Sequence, residues 1–187
     1  MSVIDPNRGL DVSNLESRLA RQLSMPHNRV LLRGKSPDER AREAFQEIIG
    51  GFAGTPQVVV FTGPKRFLRG VGPSNRVYSG EWWFEESLLI RVESALSRIP
   101  LSEDHRRAAT EGQIRSGLAL PERWNALSEL WVLELPGGEH ITGLVGKASE
   151  QPILPGGLSR VLSGGETQIY FPVRNPFWPI RLYQTMK

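Results

Sequence analysis

Along the first third of the chain, apolar residues recur at helical spacing. Leu15, Leu19 and Leu23 fall at i, i+4 and i+8. Ser13 with Glu16 three residues later fits a capping box, so a short amphipathic helix is expected to end near Met25-Pro26. A stronger start follows at Ser36-Pro37-Asp38-Glu39, where an N-cap hydroxyl, a proline at the first helical position and a capping glutamate stand together. The stripe of Ala41, Ala44, Phe45, Ile48, Ile49 and Phe52 then predicts an amphipathic helix that Gly50-Gly51 stops.

From Pro56 the pattern changes to short β-rich runs. The continuous run Val58-Val59-Val60-Phe61 predicts a buried strand, broken by Thr62-Gly63-Pro64. Strands are also expected at Arg66 to Val71 and Tyr78 to Phe84, with Gly72-Pro73-Ser74-Asn75 as the turn between them. Leu88, Leu89, Val92, Ala95, Leu96 and Ile99 keep a helical period up to Pro100. Residues 101–120 are polar with little periodicity and read as an exposed connector, although Ser102-Glu103-Asp104 suits a short helix start. Strands resume at Leu130 to Leu135, turn at Pro136-Gly137-Gly138 and continue from Ile141 to Val145. A glycine-rich loop from Pro152 to Gly165 leads to strands at Thr167 to Phe171 and Phe177 to Tyr183.

Composition narrows the chemistry. A chain of 187 residues suits one domain, and 19 glycines and 14 prolines suit a loop-rich fold. The absence of cysteine excludes disulfides, thiolate nucleophiles and zinc-thiolate sites. His27, His105 and His140 are too scattered for a metal-ligand spacing, so no metal site is expected. No stretch approaches the roughly 18 apolar residues of a membrane span. The start Met1-Ser2-Val3-Ile4-Asp5-Pro6 has neither the basic nor the apolar region of a cleavable secretory signal. A net charge of +3 suits anionic partners without singling out nucleic acid.

The segment from Leu120 to Pro172 carries the most specific pattern. Gly146 and Ala148 stand in a G-x-A spacing at the end of one strand, and Gly164-Gly165-x-x-Gln168 opens another. Upstream lie Arg66-Phe67-Leu68-Arg69-Gly70 and Gly80-Glu81-Trp82-Trp83. In this order the blocks resemble bacterial ADP-ribosyltransferase-like toxins, in particular the NAD-cleaving group of the tuberculosis necrotizing toxin, over roughly residues 57 to 172. The resemblance implies an α+β fold: a split pair of small, mostly antiparallel sheets with N-terminal helices. Residues 1–55 would then be a helical accessory segment and 56–187 the NAD-binding catalytic domain.

Several roles follow from the resemblance. Arg69 would clamp the dinucleotide phosphates, because a guanidinium bridges two phosphate oxygens, with Arg66 and Lys65 as alternates. Ser79, Trp82 and Trp83 would line the nicotinamide pocket. Gln168, with Glu166 beside it on the same strand face, would help break the glycosidic bond. NAD enters as substrate, without a metal. Many relatives that modify proteins carry glutamate where Gln168 stands. Glutamine hydrogen-bonds ribose hydroxyls but is no base, which favours hydrolysis to nicotinamide and ADP-ribose over transfer to a protein or RNA acceptor. The expected biology is a secreted effector, without a cleavable signal peptide, acting in a target-cell cytoplasm and held in check by a cognate immunity protein. Two competing readings are an RNA-binding surface built on the arginine and aromatic residues from Arg66 to Trp83, and a non-catalytic module of the same fold. Read without the resemblance, Lys65-Arg66-x-x-Arg69 is a solvated basic face.

Overall fold

The computed structural model describes residues 5–71, 82–121, 127–152, 161–173 and 178–186, without the side chains of residues 27, 29 and 30. Helix α1, Leu15–Leu23, buries the expected Leu15, Leu19 and Leu23. Its start differs from the expected one. Asp11 caps the 3-10 turn Val12–Asn14 ahead of the helix, accepting from the Ser13 hydroxyl and N–H, while Asn14 accepts from the Asp11 N–H. Those Ser13 bonds hold the Asp11 carboxyl below its usual range. Helix α2, Pro37–Gly50, starts as its sequence predicts, with Ser36 and Glu39 in a reciprocal capping box.

Nine strands follow in the described residues, every pairing antiparallel: β1 (Gln57–Thr62), β2 (Lys65–Val71), β3 (Trp82–Glu85), β4 (Glu129–Leu135), β5 (His140–Lys147), β6 (Gln151–Pro152), β7 (Val161–Leu162), β8 (Thr167–Tyr170) and β9 (Ile180–Thr185). Two helices, α3 (Glu86–Leu96) and α4 (Glu103–Gly117), lie between β3 and β4. Helix α4 corrects the expectation of a connector over 101–120. Ser102 caps it by accepting from the His105 N–H, and it buries only Thr110 and Ile114, too sparse a stripe to register as a period. Strand β1 also differs from its expectation. It is an edge strand, paired only to β5, and its outward Val58 and Val60 are exposed.

The main sheet runs β1-β5-β8-β3-β2-β4-β9, with β6 and β7 pairing separately. Its organising feature is β3. Trp82 and Trp83 pair with Tyr170 and Ile169 of β8, whereas Phe84 and Glu85 pair with Leu68 and Phe67 of β2. One short strand therefore belongs to two half-sheets. Their inner faces pack together: Phe61 of β1, Phe67 of β2 and Phe171 after β8 meet edge to face with centroids 5.0 to 5.8 Å apart. Trp83, Leu133, Leu135, Ile141 and Ile169 complete this central core. The outer faces take the helices. Leu68, Phe84, Leu130 and Val132 pack against α3 and α4, and Leu144, Tyr170 and Trp82 against α1 and α2.

The N-terminal segment is anchored by polar contacts as well. Asn7, fully buried, donates from Nδ2 to the Thr142 and Val173 carbonyls at 2.9 and 2.6 Å and accepts from the Val173 N–H at 3.0 Å. It thus shares a core and a hydrogen-bond network with β5 and the chain beyond β8.

Phe67 has no exposed surface and touches both other rings of the aromatic cluster. Phe67→Ala is expected to destabilise the protein by about 3–5 kcal/mol in urea unfolding, as large cavities between packed layers do.

Candidate functional site

The motif residues of the C-terminal half converge on one junction, where the end of α2 meets the ends of β5 and β8. Gly146 of β5 lies opposite Gln168 of β8. A Cβ on Gly146 would fall 2.6 Å from the Phe52 ring, so glycine here makes room for the aromatic residue that follows α2. Phe52 bridges Ala148 in turn. Gly164 and Gly165 both have positive φ, +64° and +86°, and a Cβ on Gly164 would lie 2.3 Å from the Ala148 carbonyl oxygen. The Gly165 N–H donates to that same oxygen at 2.9 Å. Gly146, Ala148, Gly164, Gly165 and Gln168 thus form one stitched corner.

Gln168 is 8% exposed and points out of the sheet toward α2, like Tyr170 two residues on. Its Nε2 donates to the Gly51 carbonyl at 2.5 Å. Glu166 does not share that surrounding, contrary to the expectation that the two lie on one strand face. It precedes β8, at a bend, where the alternation of a strand no longer sets direction. Its side-chain stem packs against Gly117 at the end of α4, and its carboxylate takes Nη2 of Arg91 on α3 at 2.6 Å. Its backbone is tied on both sides, N–H to the Gly117 carbonyl and carbonyl to the Ala148 N–H.

The alternation of β2 separates the two arginines. Arg66 lies on the helix-covered face with Leu68. There it contacts Glu86 at 2.5 Å and Glu134 at 3.6 Å, and its guanidinium sits 5.2 Å over the Tyr183 ring. Burial first, then a hydrogen bond with Glu86, pushes the Tyr183 hydroxyl above its ordinary range. Arg69 lies on the opposite face with Phe67, half-buried, opposite Trp131 of β4. The Trp131 indole N–H donates to Glu129 at 2.7 Å. Lys65 pairs with Glu85 at 3.2 Å. Arg69 and Gln168 therefore leave opposite faces of the sheet, on strands separated by β3.

Both adjacent tryptophans are structural in their contacts. Trp83 is 2% exposed in the central core. Trp82 is wedged between Phe52 and Tyr170, with centroids 5.2 and 5.3 Å away, and lines a hollow of about 430 Å³. Gln22, Asn28, Arg33 and Arg40 also line this hollow, and Arg40 is engaged with Glu43 and Glu47. Ser79 lies outside the described residues. The sequence marks Gly51 only as part of a helix stop, and nothing in the spacing of Trp131 or Arg91 shows that they lie beside Arg69 and Glu166. Among the described residues no group of His, Asp and Glu gathers to hold a metal ion.

Gly164→Ala is expected to cost more than about 2 kcal/mol, combining a left-handed backbone with a clash against a carbonyl. Arg91→Ala, by contrast, should cost less than about 1 kcal/mol because its ion pair is largely solvated. Urea titrations of the two variants check the order.

Comparison with protein-family models, with curated proteins and with solved structures finds no match to this chain.

Proposed function

We propose that the protein is an NAD glycohydrolase of the ADP-ribosyltransferase-like toxin type, releasing nicotinamide and ADP-ribose. The observation that carries the reading is the adjacency of the strands to which the resemblance assigns its site. The arginine strand β2, the tryptophan strand β3 and the glutamine strand β8 are hydrogen-bonded neighbours, and β3 divides its pairing between the other two. A split pair of antiparallel sheets is what the resemblance implies for this fold.

On this reading NAD binds beside β3, with its diphosphate held by an arginine of β2 and the nicotinamide ribose at the start of β8. The bond from ribose C1′ to the nicotinamide nitrogen breaks, its electron pair leaves with nicotinamide, and water adds to C1′ and loses a proton. Nicotinamide is already a good leaving group, so the protein's task is orientation and stabilisation of a cationic ribose. The amide oxygen of Gln168 accepts from a ribose hydroxyl. Arg69 is the phosphate clamp that the resemblance assigns, with Arg66 as its alternate: Arg66 shares the Gln168 face of the sheet but contacts Glu86 and Glu134, whereas Arg69 leaves the opposite face. Hydrolysis is favoured over transfer because the Glu166 carboxylate, the nearest base in sequence, is held by Arg91. The biological setting that goes with this activity is a secreted effector acting in a target cell, with an immunity protein to restrain it.

Nicotinamide release from NAD is the direct test, and a folded protein that releases none overturns the reading. Gln168→Ala is expected to lower turnover by about a hundredfold, the scale of losing one positioned polar group in the transition state. Arg69→Ala should raise KM more than Arg69→Lys does, whereas Arg66→Ala should leave KM near that of the wild type. With labelled NAD and cell extract, label is expected in free ADP-ribose. Label on a protein or RNA band that Glu166→Gln abolishes would make the enzyme a transferase.

A further inference from the structure

We infer that the Gly51 carbonyl determines which end of the Gln168 amide meets the substrate, and that it closes position 168 to glutamate. This rests on the proposed role of Gln168. The Gly51 oxygen accepts from two donors, the Ser149 N–H at 2.9 Å and Gln168 Nε2 at 2.5 Å. A carbonyl has two lone pairs and no proton, so both of its places are filled and any side chain against it must donate. The amide nitrogen is therefore turned inward. Its oxygen, which has no hydrogen-bond partner among the described residues, is the end left to accept from a ribose hydroxyl.

The carbonyl is held in place by its surroundings. A Cβ on Gly51 would stand 2.8 Å from Cη2 of Trp82, whose ring is itself wedged between Phe52 and Tyr170. The Gly51 N–H donates to the Glu47 carbonyl at 3.1 Å, the Ser149 hydroxyl to the Gly50 carbonyl at 2.7 Å, and the Ala53 N–H to the Lys147 carbonyl at 2.8 Å. Trp82 thus acts on Gln168 through Gly51, as a positioning residue.

A carboxylate at 168 would face an oxygen with no proton to offer. Of the charged groups nearby, Lys147 of β5 leaves the opposite face of the sheet, where it meets the Thr167 hydroxyl, while Glu166 pairs with Arg91 and Glu47 of α2 with Arg40. A glutamate introduced there must keep its proton to donate to Gly51, which raises its folded pKa above the unfolded one. Stability is then retained at low pH and lost as pH rises through the raised value.

The test is Gln168→Glu in the full chain. Its thermal midpoint is expected to lie close to that of the wild type at pH 5 and to fall progressively behind it toward pH 8. NAD turnover at pH 7.5 should drop by about a hundredfold without gain of transfer to protein. Midpoints that run parallel from pH 5 to pH 8, or transfer activity gained by the variant, would overturn the inference. A wild type that releases no nicotinamide overturns the proposed function instead, and the pH series still decides whether Gly51 demands a donor. Should the variant fail to fold at any pH, the wild type gives the answer. The Gln168 side-chain amide protons should exchange slowly with solvent, and free exchange at unfolded-chain rates would overturn the pairing.

Discussion

Everything in this fold depends on how β3 divides its hydrogen bonds. This strand of four residues does not pair along its whole length on either side. It gives Trp82 and Trp83 to β8 and Phe84 and Glu85 to β2, and the two half-sheets must part where it changes partner. Side-chain alternation and the change of partner together then send three consecutive residues to three cores. Trp82 goes to the α1 and α2 layer, Trp83 to the space between the half-sheets and Phe84 to the α3 and α4 layer. An apolar run that would be odd in a half-exposed strand is what a strand buried on both faces requires.

The second constraint is crowding at the corner where α2 meets β5 and β8. Helix α2 must come close enough for its last carbonyls to bond Ser149 and Gln168, and this brings Phe52 onto β5 and Trp82 onto Gly51. Both approaches need a residue without Cβ, Gly146 for the first and Gly51 for the second. Gly51 has an ordinary negative φ, so it is glycine for space and not for backbone conformation. Gly164 is glycine for both reasons.

Much of this was legible from residue pattern, and the failures have physical causes. Helix α2 declared itself because its cap, proline and stripe all agree. Helix α4 did not, because a helix lying on the surface over one buried isoleucine and one buried threonine carries no period to read. At α1 the cap lies upstream of the expected one: Asp11 accepts from the Ser13 N–H and hydroxyl, so Ser13 falls inside the 3-10 turn and does not cap the helix. The run Val58 to Phe61 has the composition of a buried strand, yet being at an edge is a property of the sheet order and is invisible in the run itself. In the candidate site, the motif residues were legible as a group, but their meeting point with Gly51 required the fold. That Arg66 and Arg69 part was legible by parity, since three apart on a strand they leave opposite faces, but that Glu86 and Glu134 meet Arg66 required the fold.

The placing of Glu166 bears most on chemistry. Two residues before Gln168, it would reach the same surroundings if the strand began early enough, and a base would then stand beside the ribose. The strand does not begin there. Gly164 and Gly165 turn the backbone through left-handed conformations, Glu166 falls on the bend, and its carboxylate swings to α3 and Arg91. What remains at the start of β8 is an amide whose donor end is occupied. Such a group can orient a ribose and stabilise positive charge on it through its oxygen, but it cannot take a proton from an acceptor hydroxyl or amine. On the proposed reading, the Gly-Gly turn thus does more than open a strand. By removing the carboxylate from the ribose it leaves water, which needs little activation against an oxocarbenium-like centre, as the natural nucleophile.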